Sequence, residues 1–410
     1  AYLGGLVGFD VAALGRIRLN SDYPTDWAQY DAGMKVLKQK DCYYTGKNGD
    51  GNYVCDGTEG ATGITEVTLK TRGGEGKNTF DLRAGLGMFA AGMISSSDED
   101  DVLPTSYTGF DLDARLGGTR IEYAWINGVK NHNDSSVQDI SAKPNYSSHY
   151  DYTQLGHEDD LKIDYVHSLG LSRKFGGLLL EAAASDAPEY LRRYMISADY
   201  ILPFNKRENL QLKAQFYQNH NYGDVWELEK EIYPGKFGDI PDHTRLSTYT
   251  IAWTESLFNS TAWTVALHHT RIGEGGFSYG IGNVKGVLKN EGQGNYQSMR
   301  RSNEQVWAVE NTLDFSHSRN PWLKGFEVKY GFHYGMYYQE DAREGSSGGA
   351  IGDTHESEHA ITAKYVVRKG TLKGLSVNLQ QAFVDDEGNK FGQGKINQTK
   401  FDISYTMPLM

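Results

Sequence analysis

Apolar and polar positions alternate along most of this chain. Leu210, Leu212, Ala214 and Phe216 share one face of a segment whose other face carries Gln211, Lys213, Gln215 and Tyr217. Phe326, Val328, Tyr330, Phe332 and Tyr334 alternate with Glu327, Lys329, Gly331 and His333. Near the end, Phe401, Ile403, Tyr405 and Met407 alternate with Lys400, Asp402 and Ser404. Tyr2–Leu19 reads as one further strand, with Leu3, Val7, Phe9 and Val11 on its apolar face. A period of two is the pattern of strands that bury one face in something apolar. No segment of comparable length repeats apolar residues at helical spacing.

The connectors between these segments fall into two classes. Short ones lie near 73–78, 117–118, 173–177, 203–208, 259–261, 317–325 and 369–374. Long polar ones lie near 20–63, 91–109, 129–160, 220–244, 272–303, 339–357 and 385–398, and only 185–190 is short where a long one is due. A soluble sandwich has no reason to sort its loops this way. A membrane barrel does, with tight turns on the periplasmic side and long loops outside. The segments number about 16, enough for an aqueous lumen, and both termini then fall on the periplasmic side. The expectation is one domain, 1–410: an all-β, transmembrane antiparallel β-barrel with a water-filled channel. No run of about 18 apolar residues supplies a spanning helix.

Composition supports this reading. The chain has 27 Tyr, 48 Gly and only 9 Pro; barrels place aromatics in girdles at the membrane interfaces and glycine where strands bend. A formal net charge of -12 argues against nucleic acid as a partner. The two cysteines, Cys42 and Cys55, flank a polar segment and are expected to form a disulfide that pins an exposed loop; two free thiols are the alternative. No secretory segment precedes Ala1, so the expectation is a processed or trimmed chain.

Several stretches resemble the OprD-type family of substrate-specific outer-membrane channels, including its enteric chitoporin branch. They are Val7–Gly15 (VGFDVAALG), Leu103–Asn133, Leu161–Phe175 (LKIDYVHSLGLSRKF) and Leu210–Gln218 (LQLKAQFYQ), and Leu103–Asn133 is the most specific. The resemblance implies a monomeric barrel of 18 strands, against the 16 visible in this chain, constricted by inward-folded loops. It also implies a ladder of basic residues on one lumen wall, facing a few acids. Two features depart from the family: only six residues precede Val7, and the chain ends in Leu409–Met410 rather than the usual Phe.

Charges opposite the apolar face of a strand point into the lumen, because Arg or Lys facing lipid costs roughly 2–4 kcal/mol at the midplane. On this basis Arg16, Arg83, Arg120, Lys213, Lys329 and Lys364 line the channel with Asp10, Asp81, Asp113, Glu122, Asp314 and Glu327. Arg16, next to Val7–Gly15, and Arg120, within Leu103–Asn133, are with Arg83 the first candidates for a basic track, with Arg18 continuing it outward. Each charge has a plainer reading, that it only neutralises a neighbour in the wall. Tyr107 is a candidate platform for stacking on a sugar or aromatic solute. Asp98–Asp101 and His157–Asp160 read as solvated loop acids rather than metal sites, since no calcium-ligand spacing is present. His268 and His269 are adjacent in a strand and point to opposite faces.

The function expected is passive, partly selective diffusion of small polar solutes, above all carboxylate-bearing ones: amino acids, organic or aromatic acids, zwitterionic antibiotics. Chito-oligosaccharide uptake is the alternative within the class, and an outer-membrane barrel enzyme the alternative from another class. No Ser–His spacing singles out a nucleophile and base, so no catalysis is expected. No cofactor or metal is called for. The expected partners are solutes, outer-membrane lipid and lipopolysaccharide.

Overall fold

The computed structural model describes residues 2–3, 6–15, 38–44, 53–59, 62–96, 105–131, 136–142, 161–232, 240–257, 261–278, 280–287, 290–296, 299–339, 352–386 and 395–405. The strands in chain order are β1 (Tyr2–Leu3), β2 (Val7–Gly15), β3 (Lys38–Tyr44), β4 (Tyr53–Glu59), β5 (Thr62–Glu75), β6 (Asn78–Gly87) and β7 (Ser106–Leu116). They continue with β8 (Thr119–Lys130), β9 (Ile140–Ser141), β10 (Lys162–Ile163), β11 (Val166–Phe175), β12 (Leu178–Ala187), β13 (Leu191–Pro203) and β14 (Glu208–Asn221). The last seven are β15 (His243–Ser256), β16 (Ala262–Ile272), β17 (Gln305–Asp314), β18 (Phe326–Gln339), β19 (Gly352–Val366), β20 (Leu375–Asp386) and β21 (Lys395–Tyr405).

Seventeen strands make one sheet. Pairing is antiparallel between chain neighbours, except that β2 pairs with β5 and β8 with β11. The skipped pieces form two small hairpins of their own, β3 with β4 and β9 with β10. Every wall strand except β1 has nine residues or more, the length a tilted strand needs to span a bilayer. This is a β-barrel of the outer-membrane type. The connectors segregate as the sequence predicts. At one end lie 76–77, 117–118, 176–177, 204–207, 257–261, 315–325 and 367–374. At the other lie the long ones, together with the single short exception, 188–190.

The two faces of the wall are chemically opposite. Phe9, Leu69, Ile196, Phe216, Ile251, Trp307, Ile361 and Phe401 are exposed on the outside. Thr68, Ser168, Ser197, Gln215, Thr248 and Thr270 are buried on the inside. That inversion is stable only where the outer surroundings are hydrocarbon.

Two sequence expectations need correction. Tyr2–Leu19 is not one strand: Tyr2 and Leu3 fold back so that Tyr2 pairs with Gly8 and Leu3 with Val7. Continuous alternation hid the reversal, which falls between Leu3 and Val7. The second is a helix, α1 (Asp224–Ile232), inside the connector after β14. Its acids Asp224 and Glu227 lie in the first turn and Lys230 in the last, as the helix dipole favours. Trp226 and Glu229, three apart, are its buried side chains, while Val225 and Leu228, also three apart, lie against the hydrophobic core. That spacing was visible, but over only two turns.

Candidate functional site

The lumen is filled from its loop-bearing end. Three connectors fold inward and bind one another through backbone hydrogen bonds. Ser95 N donates to Lys285 O (3.0 Å) and Val287 N to Met93 O (3.0 Å), joining 88–96 to 280–287. Asn283 N donates to Ser141 O (3.0 Å), joining the second segment to 136–142. Two apolar clusters fix this assembly to the wall. One combines Phe89, Ile94, Ile140, Ile281 and Val284 of the loops with Ala124, Ile126, Val166 and Leu191 of the strands. The other sets Met93, Phe277 and Met299 against Ala183, Tyr217, Leu246, Ile272 and Val306. The close approach depends on Gly92, whose φ is +56° and whose missing side chain leaves room for Ser168 and Leu169. Met93 N then donates to Ser168 Oγ at 2.7 Å.

Polar anchors complete the constriction. Arg193 is fully buried; its Nε donates to Asn219 Oδ1 (2.7 Å) and its Nη2 to the carbonyls of Ser278 (2.8 Å) and Gly280 (3.1 Å). Farther along the same loop, Glu358 accepts from the amides of Asn295 (2.6 Å) and Tyr296 (3.0 Å), and Lys213 pairs with Glu291. Arg301 reaches Asp386 through Nη1 (2.9 Å) and lies 3.4 Å from Glu356. Beside it lie the buried carboxyls of Glu304 and Glu356. A Cβ at Gly335 would occupy the space of Glu304 Oε1. Burial raises the pKa of Glu304 above the ordinary carboxylate value, because desolvation disfavours the charged form.

Charge lines the remaining wall. Lys70 stands opposite Arg83 in register, and Arg83 opposite Asp111. Lys70 Nζ donates to Asp10 (2.6 and 2.7 Å), and Arg83 forms a two-pronged pair with Asp111, with Nε–Oδ1 at 2.9 Å. Arg120 bridges Asp113 (2.7 Å) and Glu122 (2.8 Å). Across the barrel, Glu310 takes Lys329 at 2.5 Å and faces His268 at 3.5 Å and His333 at 3.9 Å.

Of the residues the sequence singled out, Asp10, Arg83, Arg120, Glu122, Lys213 and Lys329 all sit on the strand face opposite the exposed apolar residues, and each is ion-paired. Arg16, Arg18, Asp98–Asp101 and His157–Asp160 lie outside the described residues. His268 points inward to Glu310, and His269 outward between Tyr249 and Trp307. Tyr107 is a correction. It is 0% exposed; its hydroxyl donates to Ser95 O (2.7 Å) and accepts from Lys285 N (3.1 Å). Tyr107 therefore ties two loops together and offers no open ring for stacking. Lys70, Arg193, Arg301 and Glu310 escaped the sequence reading. Parity alone places Lys70, Arg193 and Glu310 inward, whereas Arg301 sits in a loop where parity says nothing. In the β3–β4 hairpin the register sets Cys42 opposite Cys55.

The model of the outer membrane porins of the OprD family matches residues 2–409. Among solved structures, OccK9 (OpdG) of Pseudomonas aeruginosa superposes with a TM-score of 0.69 at 16% identity, covering 100% of this chain and 88% of that one. OccAB3 of Acinetobacter baumannii gives 0.67 at 17% identity, covering 99% and 89%. OpdK of Pseudomonas aeruginosa, solved with vanillate, gives 0.64 at 16% identity, covering 99% and 89%. No curated protein matches the chain.

Proposed function

This chain belongs to the OprD family of outer membrane porins, and on that premise we propose that it carries small carboxylate-bearing solutes across the outer membrane by passive diffusion. Within its ion pairs the cation is often the partner turned toward the lumen. Side-chain exposure is 32% for Arg83 against 9% for Asp111, and 35% for Lys329 against 18% for Glu310. Arg301 at 32% fronts Asp386 at 3%. Lys70–Asp10 and Lys213–Glu291 show the reverse order. Acids tucked behind cations hold the cations in place and leave a net positive face to a passing anion, which narrow, low-dielectric walls strengthen. The vanillate found with OpdK carries a carboxylate of this kind. Lipid and lipopolysaccharide are the surrounding partners in this reading, and the barrel works as a monomer.

The chito-oligosaccharide alternative calls for aromatic rings open to the lumen. Tyr107 and Tyr217, the wall tyrosines with inward parity in the constriction, are both buried; Tyr296 of the inward-folded loop is 39% exposed and is the ring this alternative would use. Planar-bilayer currents under a salt gradient test the proposal. Anion bias, with block by benzoate or another aromatic carboxylate and none by a chito-oligosaccharide, supports it. Cation bias with sugar block reverses it.

A further inference from the structure

On the outer surface of the wall, next to the long loops, basic side chains gather in one patch. Arg192 of β13, His220 of β14 and His243 of β15 are direct partners in register. The two imidazoles stack at 4.3 Å, and the Arg192 guanidinium lies 4.3 Å over the Tyr222 ring. Arg245 follows His243 two residues on, on the same face. Arg271 on β16 stands opposite Ser247, two residues from His269. Parity confirms that all face outward, since the same faces continue into exposed Tyr194, Ile196, Tyr249, Ile251 and Leu267.

Compensation within the patch is uneven. Asp186 accepts from Arg192 at 2.9 Å. Arg245 and Arg271 are both exposed and have no acidic partner among the described residues. Residues placed diagonally across an antiparallel pair are about 7–8 Å apart, so Arg245 and Arg271 are near neighbours on the outer face, within reach of one phosphate. Cations on an outward face are costly within hydrocarbon but cost only about 0–1 kcal/mol near the interface. The pair therefore belongs at headgroup depth, just beyond the apolar band. Guanidinium groups at that depth suit phosphate, which they bind through parallel hydrogen bonds.

We propose that Arg245 and Arg271, flanked by His243 and His269, form a binding site for the phosphate of the phosphorylated glycolipid that makes up the outer leaflet. The site rests on the outer-membrane placement of the barrel but not on its solute, so channel currents and lipid binding fail separately. Full-length protein extracted in mild detergent and weighed by native mass spectrometry provides the test. The probes are bisphosphorylated lipid A, its phosphate-free counterpart and phosphatidylglycerol. Wild type is expected to retain the bisphosphorylated lipid and not the phosphate-free one. The Arg245→Gln/Arg271→Gln variant should lose affinity for it roughly tenfold, the effect of one charge-assisted hydrogen bond. An Arg173→Gln/Lys174→Gln variant, altered at the short-turn end, should bind as wild type does. A shift in gel migration on boiling establishes that each variant is folded. Equal binding by the Arg245/Arg271 variant overturns the site. Equal retention of phosphate-free lipid by wild type, or displacement by an equal amount of phosphatidylglycerol, overturns the choice of ligand without needing any variant.

Discussion

Arg83 and Asp111 face each other across the β6–β7 pair, and the cation is the partner left open to the lumen. The pair is not a stability device of the ordinary surface kind, because Asp111 is almost wholly buried and removal of its partner strands a desolvated charge. Replacing Arg83 with Gln should therefore do two things. The anion-to-cation permeability ratio should fall, on the order of 2- to 10-fold for one charge about 10 Å from the ion path at intermediate dielectric. Asp111→Asn in the same background should restore part of it, since the uncovered negative charge is then gone. Reversal potentials under a salt gradient measure both effects; unchanged potentials in Arg83→Gln would mean that the pair only neutralises the wall.

Tyr107 makes a different prediction, because its hydroxyl joins two loops that share no covalent neighbour. In Tyr107→Phe the ring still fills its buried site, so heat-modifiable migration should be unchanged. The lost hydrogen bonds to Ser95 and Lys285 are worth about 0.5–1.5 kcal/mol each. That is enough to raise the frequency of brief current fluctuations several-fold as the two segments separate. A recording as quiet as wild type would show that the backbone bonds between 93–95 and 285–287 suffice.

Glu304 gives the constriction a pH dependence with a definite sign. Burial raises its pKa above the ordinary carboxylate value, so the anchored loop holds a proton that a released loop gives up. Anchoring is then strongest below the ordinary value, near 4.5. It weakens as pH climbs through the raised one, when two carboxylates beside Arg301 must both carry charge. Loop-driven closures and openings should be more frequent at pH 8 than at pH 5. Glu304→Gln, which cannot ionise, should flatten that dependence. A variant with the wild-type pH profile would place the titrating group elsewhere.

The wall was legible in the sequence and the constriction was not, and the reason is physical. A strand with lipid on one side and water on the other must alternate, so Lys213 and Lys329 declare their faces without any structure. The sorting of connectors into a short-turn end and a long-loop end could be read the same way. Inward-folded loops obey no such period. Ile94, Ile281 and Arg301 lie in irregular segments whose partners are distant in the chain, and nothing local distinguishes them from solvated loop residues. Tyr107 shows the limit from the other side. Its place in the constricting region could be read from the sequence, but whether a solute or a second loop covers its ring depends on residues 178 positions away.

The β3–β4 hairpin carries the last prediction. Cys42 and Cys55 are direct partners in an antiparallel pair, where Cα atoms stand about 4.5–5.5 Å apart. A disulfide requires about 4.4–6.8 Å, so the backbone permits the bond without distortion. The hairpin belongs to its own small sheet rather than to the wall, and a two-stranded hairpin in water is marginal by itself. Closing a loop of this size is worth about 3 kcal/mol in the chain-entropy view, comparable to what such a hairpin lacks. Unreduced protein should thus weigh less than the reduced form by the mass of two hydrogen atoms, with no thiol open to maleimide after denaturation. Reduction should make the connector between β2 and β5 sensitive to protease while leaving heat-modifiable migration as it was, since no wall pairing depends on the hairpin. Quantitative labelling of both thiols in unreduced protein would rule the bond out. A collapse of the barrel on reduction would instead show that the hairpin supports the wall.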